Sequence, residues 1–202
     1  MALSTYANLT TAISNWLHRS DLSSYVDDFV TLGESRINND LRIRQMETTM
    51  STVISSGVVS VPTNYIEAKH FYISSTTPYY WLERKSAEWI YANYSDRSAT
   101  DIPAFWARDG SNFVFGPYPD SGYTVTLVYY NRLLALSSAV NTVYTSYPGL
   151  YLFASLAETA PFLKDDKRVI IWEAKYQDLL KKVQMESDKE EYSGSVLSVT
   201  AG

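Results

Sequence analysis

The stretch Leu41-Arg42-Ile43-Arg44-Gln45-Met46-Glu47-Thr48-Thr49-Met50-Ser51-Thr52-Val53-Ile54 decides the fold, because the hydrophobic period changes inside it. Upstream, Leu22, Tyr25, Val26, Phe29, Leu32, Ile37 and Leu41 recur at helical spacing. From Glu47 the period is two, the spacing of a strand. Working back, Tyr6, Leu9, Ile13, Trp16 and Leu17 form another helical stripe, opened by Ser4 or Thr5 as a cap. Between the two helices, Asp21 or Ser24 is a candidate cap for the second. Gly33 costs about 1 kcal/mol in a helix interior, and it reads equally as a close helix crossing or as a tolerated blemish. The chain therefore begins with a pair of helices over roughly Ser4 to Met46.

Working forward, Thr48–Ile54 and Val58–Val61 read as a hairpin turning at Ser55-Ser56-Gly57. Ala68–Ile73 and Tyr79–Leu82 read as a second strand pair, and Ser86 caps a short helix through Trp89, Ile90 and Tyr94. Phe105–Arg108 and Asn112–Phe115 flank Asp109-Gly110, a favoured tight turn. With Tyr123–Tyr130 they predict a three-stranded meander. Helical spacing returns at Pro148, a first-turn residue, with Leu150, Phe153, Ala154, Ala157 and Ala160. Pro161 ends or kinks that helix, and Asp165 or Asp166 caps the last one. There Val169, Trp172, Tyr176, Leu179 and Val183 form the inner face.

The expected fold class is α+β: an antiparallel helix bundle formed by both chain ends, with an inserted antiparallel β-rich lobe. Neither helical pair can bury its stripe alone. The expected boundaries are 1–47 and 147–191 for the bundle, 48–131 for the β-rich insertion with one short helix, 132–146 for a connecting loop, and 192–202 for a C-terminal arm.

With 202 residues, one domain with a large insertion is expected, burying about 70% of its unfolded surface. Cysteine is absent, which removes disulfides and thiolate ligands. No apolar run approaches the ~18 residues of a membrane span, and the opening residues carry no basic signal-peptide flank. The formal charge is −5, which argues against a dedicated grip on nucleic acid. It leaves room for DNA passing beside a weakly acidic wall. Seventeen Tyr and five Trp supply broad apolar faces with polar tips, suited to interfaces or to strand filling.

No catalytic, cofactor or metal site is expected. His18 and His70 each lack a second ligand at useful spacing, and no Ser, His and Asp trio stands out. Gly110, Gly116 and Gly122 read as turn glycines rather than a phosphate loop. Glycoside hydrolysis needs two carboxylates. Asp27, Asp28, Asp120, Asp165 and Asp166 read as surface, turn or capping acids, and Glu158 is the least explained. Arg36, Arg42 and Arg44 have two open readings: a helix end satisfying its own last carbonyls, or ion pairs to a neighbouring copy.

Several short motifs, in this order, resemble phage head-to-tail adaptor proteins. They are Thr5–Leu9, Trp16–Leu22, Glu34–Arg42, Val61–Glu67, Gly116–Asp120, Tyr151-Leu152, and Ala160–Asp166 with Trp172 and Tyr176. The layout is also similar to the tail tubular protein A group of short-tailed phages. The resemblance spans nearly the whole chain. It implies a ring of twelve copies beneath the portal, assembled in the host cytoplasm and residing in the virion neck. The ring would continue the DNA channel without gripping DNA and would offer a platform for tail or nozzle proteins, with no membrane partner. On this resemblance the C-terminal arm would contact the portal through Tyr192, Val196, Leu197 and Val199, and Glu34, Arg36, Arg42 and Arg44 are subunit-interface candidates. The competing expectation is a carbohydrate-binding or cell-wall-degrading module. It would use Tyr79-Tyr80-Trp81, Trp106 and Tyr129-Tyr130 as stacking faces and Glu158 as an acid.

Overall fold

The computed structural model describes residues 3–163 and 166–192. In chain order they form α1 (Tyr6–Leu17), α2 (Val26–Asp40), β1 (Glu47–Ile54), β2 (Val58–Ser60), β3 (Tyr65–Ile73), β4 (Tyr80–Trp81), β5 (Glu83–Arg84) and α3 (Ala87–Asn93). These are followed by β6 (Thr100–Asp101), β7 (Phe105–Asp109), β8 (Asn112–Gly116), β9 (Tyr118–Pro119), β10 (Tyr123–Asn131), α4 (Thr142–Ser146), α5 (Pro148–Ala157) and α6 (Arg168–Tyr192). The class is mixed α+β; the longer strands pair antiparallel, whereas the short pairs β5–β7 and β6–β9 are parallel, a departure from the expected all-antiparallel lobe. The chain divides into two compact units, Met1–Met46 with Leu133–Gly202, and Glu47–Arg132.

In the first unit, the Thr5 hydroxyl accepts from the Asn8 amide at 3.2 Å and starts α1. Leu9, Ala12, Ile13 and Leu17 are buried. Trp16, placed in the same stripe by spacing, is instead largely exposed and meets Phe153 edge-on at 5.6 Å. His18 closes the helix in the left-handed region, and its N–H donates to Ser14. The second helix is not continuous from Leu22: Ser20–Tyr25 is a 3-10 turn, and α2 begins at Val26 with no side-chain cap. It ends at Asp40, so Arg42 and Arg44 lie beyond it and the last turn carries no basic residue.

Gly33 lies where α2 packs closely against α5. A Cβ there would lie 2.9 Å from the backbone nitrogen and the hydroxyl of Ser155. The stretch read as a connecting loop contains α4, capped by Asn141, whose Oδ1 accepts from the Tyr144 amide at 2.8 Å. The same oxygen accepts from the fully buried Tyr151 hydroxyl at 3.1 Å, so one side chain serves a cap and a core phenol. Pro148 opens α5, and a 3-10 turn at Ala160–Phe162 follows it, where Pro161 cannot continue an α-helix. Trp172, Tyr176 and Val183 are buried along α6.

The second unit holds two four-stranded sheets, ordered β1-β10-β3-β4 and β2-β8-β7-β5, and a two-stranded one, β6-β9. Phe71 of β3 lies 5.3–5.5 Å from Trp106 of β7 and from Phe113 and Phe115 of β8. The two larger sheets thus share one apolar core, completed by Ile54, Ile73, Val125 and Leu127. On the outer face of the second sheet, α3 covers Ala107 and Val114 with Ile90. Ser86 caps α3 as its position predicts.

Two strand pairings differ from the sequence reading. Asp109-Gly110 does join β7 to β8, with Asp109 opposite Asn112 and Gly110 at φ 57°. However, β10 leaves that pair and runs between β1 and β3, so there is no three-stranded meander. Likewise β1 and β2 do not form a hairpin: β1 pairs with β10, and β2 pairs with β8 in the other sheet. The turn at 55–57 is a corner between sheets. Ile54 faces one wall of the core and Val58 starts the other, and burial rather than local turn chemistry decides their partners.

Candidate functional site

The strongest polar constellation surrounds Arg36. Its guanidinium donates to Glu173 Oε2 at 2.8 Å and to Glu158 Oε1 at 3.3 Å, and its Nε lies 3.7 Å from Asp40. It stacks 4.4 Å from the Tyr176 ring centroid, and the Tyr176 hydroxyl donates to Asp40 at 2.8 Å. The hydrogen bond from Arg36 holds the Glu173 carboxyl below the usual range and in turn raises the Arg36 pKa. Burial, then the hydrogen bond to Asp40, pushes the Tyr176 phenol upward. Glu158, the carboxylate with the least evident purpose in the sequence, is an ion-pair partner here.

Glu34 and Asn38, one turn apart on α2, receive the chain as it enters Leu133–Leu136. Glu34 Oε1 accepts from the Leu136 amide at 2.7 Å, and Asn38 Oδ1 from the Leu133 amide at 2.8 Å. Burial raises the Glu34 pKa, with the Leu136 amide opposing it. Arg42 Nη1 donates to the carbonyls of Asn38 and Leu41 at 2.9 and 2.6 Å, which caps the end of α2. Within the chain, Arg42 reaches the helix-end carbonyls of the first reading, and Arg36 pairs with carboxylates of its own chain, partners that neither reading named. Arg44 donates its backbone N–H to Ser187 at 3.1 Å and is itself exposed. Tyr192 is the last residue of α6; Val196, Leu197 and Val199 lie outside the described residues.

Each unit also exposes apolar side chains. On the first unit, a groove of about 620 Å³ is lined by Asn15, Trp16, His18, Arg168, Ile171 and Trp172. Arg168 pairs with Asp166, donates to the Trp16 carbonyl at 3.1 Å, and lies 5.3 Å from the Trp172 ring. Ile170 and Ile171 beside it are 74% and 58% exposed. The sequence reading, which assigned only the inner face of α6, missed them. The available signal was Val169-Ile170-Ile171-Trp172, four consecutive apolar residues that a single helical stripe cannot bury. On the second unit, Tyr79 and Trp81 are 60% and 61% exposed and form a shelf with Tyr72, each ring 5.2–5.3 Å from it.

Among the described residues, no group of three His, Cys, Asp or Glu side chains is placed to hold a metal ion. No described helix is long and apolar enough to cross a membrane. What the geometry offers is contact surface: an apolar groove beside ion-paired helices on the first unit, and an aromatic shelf on the second.

The family model for the SU10 adaptor protein matches residues 4–199. The chain belongs to the SU10 adaptor protein family. It is a phage adaptor protein, a structural component that associates with other capsid or tail proteins at the virion neck. A comparison with curated proteins found no match. The SU10 adaptor match covers both helical ends and everything between them, including the groove around Trp16, the Arg36 cluster and the aromatic shelf.

Proposed function

We propose that this SU10 adaptor assembles as a ring of twelve copies on the portal, continues the DNA channel, and presents a platform for tail or nozzle proteins, without catalysis or cofactor. The observation that carries this reading is the family match over 4–199. The packing supports it. Helices from both chain ends meet at Trp16 with Phe153, Gly33 with Ser155, and Arg36 with Glu173, and we read them as one antiparallel bundle. Exposed Ile170 and Ile171 supply apolar area for contacts between protein molecules. The formal charge of −5 suits a channel that DNA crosses without being held. Ring closure makes each later contact effectively intramolecular, so individual contacts need not be strong. Native mass spectrometry of the protein mixed with its portal tests the reading. A complex with a single, closed adaptor copy number is expected, and a persistent monomer would contradict it.

The aromatic shelf favours a second reading, a carbohydrate-binding module, because Tyr79 and Trp81 present rings to solvent. That reading predicts retention of the purified protein on polysaccharide, lost in Trp81→Ala. Passage of the unaltered protein straight through such a matrix rules it out.

A further inference from the structure

The hairpin that the sequence predicts at Ser55-Ser56-Gly57 does not form, and its absence leaves β1 with an open edge. Strand β1 is outermost in its sheet and pairs only with β10, because the chain crosses to the other sheet before β2 begins. Among the described residues, no group outside β10 hydrogen-bonds to the main chain of residues 48–54. Folded sheets ordinarily guard such an edge with charge, proline, a bulge or brevity. From Thr48 onward none of these is present; the one charge of β1, Glu47, stands at its first residue and pairs with Lys69. The run Thr48-Thr49-Met50-Ser51-Thr52-Val53-Ile54 is uncharged, and its register with β10 is regular from Glu47–Tyr130 to Ile54–Tyr123. The opposite edge of the same sheet is guarded: β4 has two residues, β3 carries Glu67 and Lys69, and the β10–β3 register shifts twice. One edge refuses a strand and the other is suited to receive one.

The occupant must offer an extended backbone and an uncharged pattern of period two. Ten residues follow Tyr192, and none is charged: Ser193-Gly194-Ser195-Val196-Leu197-Ser198-Val199-Thr200-Ala201-Gly202. Extended, ten residues reach about 33 Å. Within them Leu197, Val199 and Ala201 fall on one face of an extended chain, and Val196, Ser198 and Thr200 on the other. Strand β1 has the same division, with Met50 and Ile54 toward the core and Thr49, Ser51 and Val53 exposed.

We propose that the segment Ser195–Thr200 of a neighbouring copy adds to the open edge of β1 as a further strand, with Leu197 and Val199 on the sheet face that carries Met50 and Ile54. Main-chain hydrogen bonds supply the affinity, and the alternating pattern fixes the register. The inference rests on the ring reading, because an arm on one copy and an edge on the next make a head-to-tail contact of the kind that closes into a ring. It gives the arm a neighbouring adaptor as its partner in place of the portal.

The chain has no cysteine, so introduced thiols report alone. Full-length copies carrying Ser51→Cys and one tag are mixed, with portal present, with differently tagged copies carrying cysteine at each position from Ser195 to Thr200 in turn. The mixtures are then oxidised. Directly opposed side chains on one sheet face lie close enough for a disulfide. The expected result is a disulfide between the two tags, strong at alternate positions and weak between them. As a second readout, deleting 193–202 should speed amide exchange of residues 48–54 at least tenfold in the assembled protein. Assemblies of normal size with no link between copies, or with links only to the portal or within one chain, overturn the inference and leave the ring reading standing. Failure of the unaltered protein to assemble at all overturns both.

Discussion

Gly33 lies against Ser155 with no room for a side chain between them: a methyl group at Gly33 would come within 2.9 Å of the Ser155 amide nitrogen. That nitrogen belongs to α5, so relief requires the helix to move rather than a side chain to rotate. Overpacking of this kind costs about 1–3 kcal/mol, against a gain of about 1 kcal/mol in helix propensity. Gly33→Ala should therefore lose up to about 2 kcal/mol in urea unfolding, and Gly33→Leu should fail to fold. A Gly33→Leu variant that folds with the parent's midpoint would show that the helices separate freely.

Arg36→Met removes the cation shared by Glu158, Glu173 and Asp40 while keeping much of the stem that packs on Tyr176. Hydrogen bonds to charged groups contribute roughly 1.5–3 kcal/mol. Because this site is partly solvated, we expect a loss of about 1–2 kcal/mol at pH 7. The Glu173 pKa in the folded state is below its ordinary value of 4.5, first because of the hydrogen bond from Arg36. Its contribution is therefore present above that value and lost as pH falls through the folded-state pKa. The difference between Arg36→Met and the unaltered chain should shrink as pH is lowered below 4.5, as followed by chemical unfolding across pH.

Glu34 has the opposite sign. Burial raises its folded-state pKa, so its contribution is fully present below the ordinary value and is lost as pH rises through the folded one. Glu34→Gln keeps an oxygen to accept from the Leu136 amide and removes the buried charge. The variant should be more stable than the parent at pH 7 and equal to it at pH 4. A loss at pH 7 would mean that the charge itself strengthens the contact with Leu136.

Phe71 meets three aromatic rings from the opposing sheet and is 1% exposed. Phe71→Ala should cost about 3–5 kcal/mol, visible as loss of the near-ultraviolet aromatic signal at lower urea. A cost below about 1 kcal/mol would mean that the two sheets do not share a core at this ring.

The sequence was legible where the signal is local. Thr5, Ser86 and Pro148 mark helix starts by their own chemistry, and Asp109-Gly110 dictates a tight turn. Gly33 stood out because glycine is costly inside a helix, but only its contact with Ser155 separates a crossing point from a tolerated blemish. What could not be read was choice of partner. Ser55-Ser56-Gly57 carries the composition of a hairpin turn, yet Ile54 and Val58 enter different sheets because two walls of one core need them. Arg36 was singled out by type, but its partners Glu158 and Glu173 lie 122 and 137 positions away, and no spacing rule connects them. The exposed pair Ile170 and Ile171 was masked by neighbouring Trp172, which is buried and accounts for an apolar run at first sight.

The measurement closest to the central claim is electron microscopy of the purified protein mixed with its portal. A closed ring of adaptor copies, coaxial with the portal and open along its axis, is the expected result. Portal particles without added density, beside adaptor that remains monomeric, would contradict it.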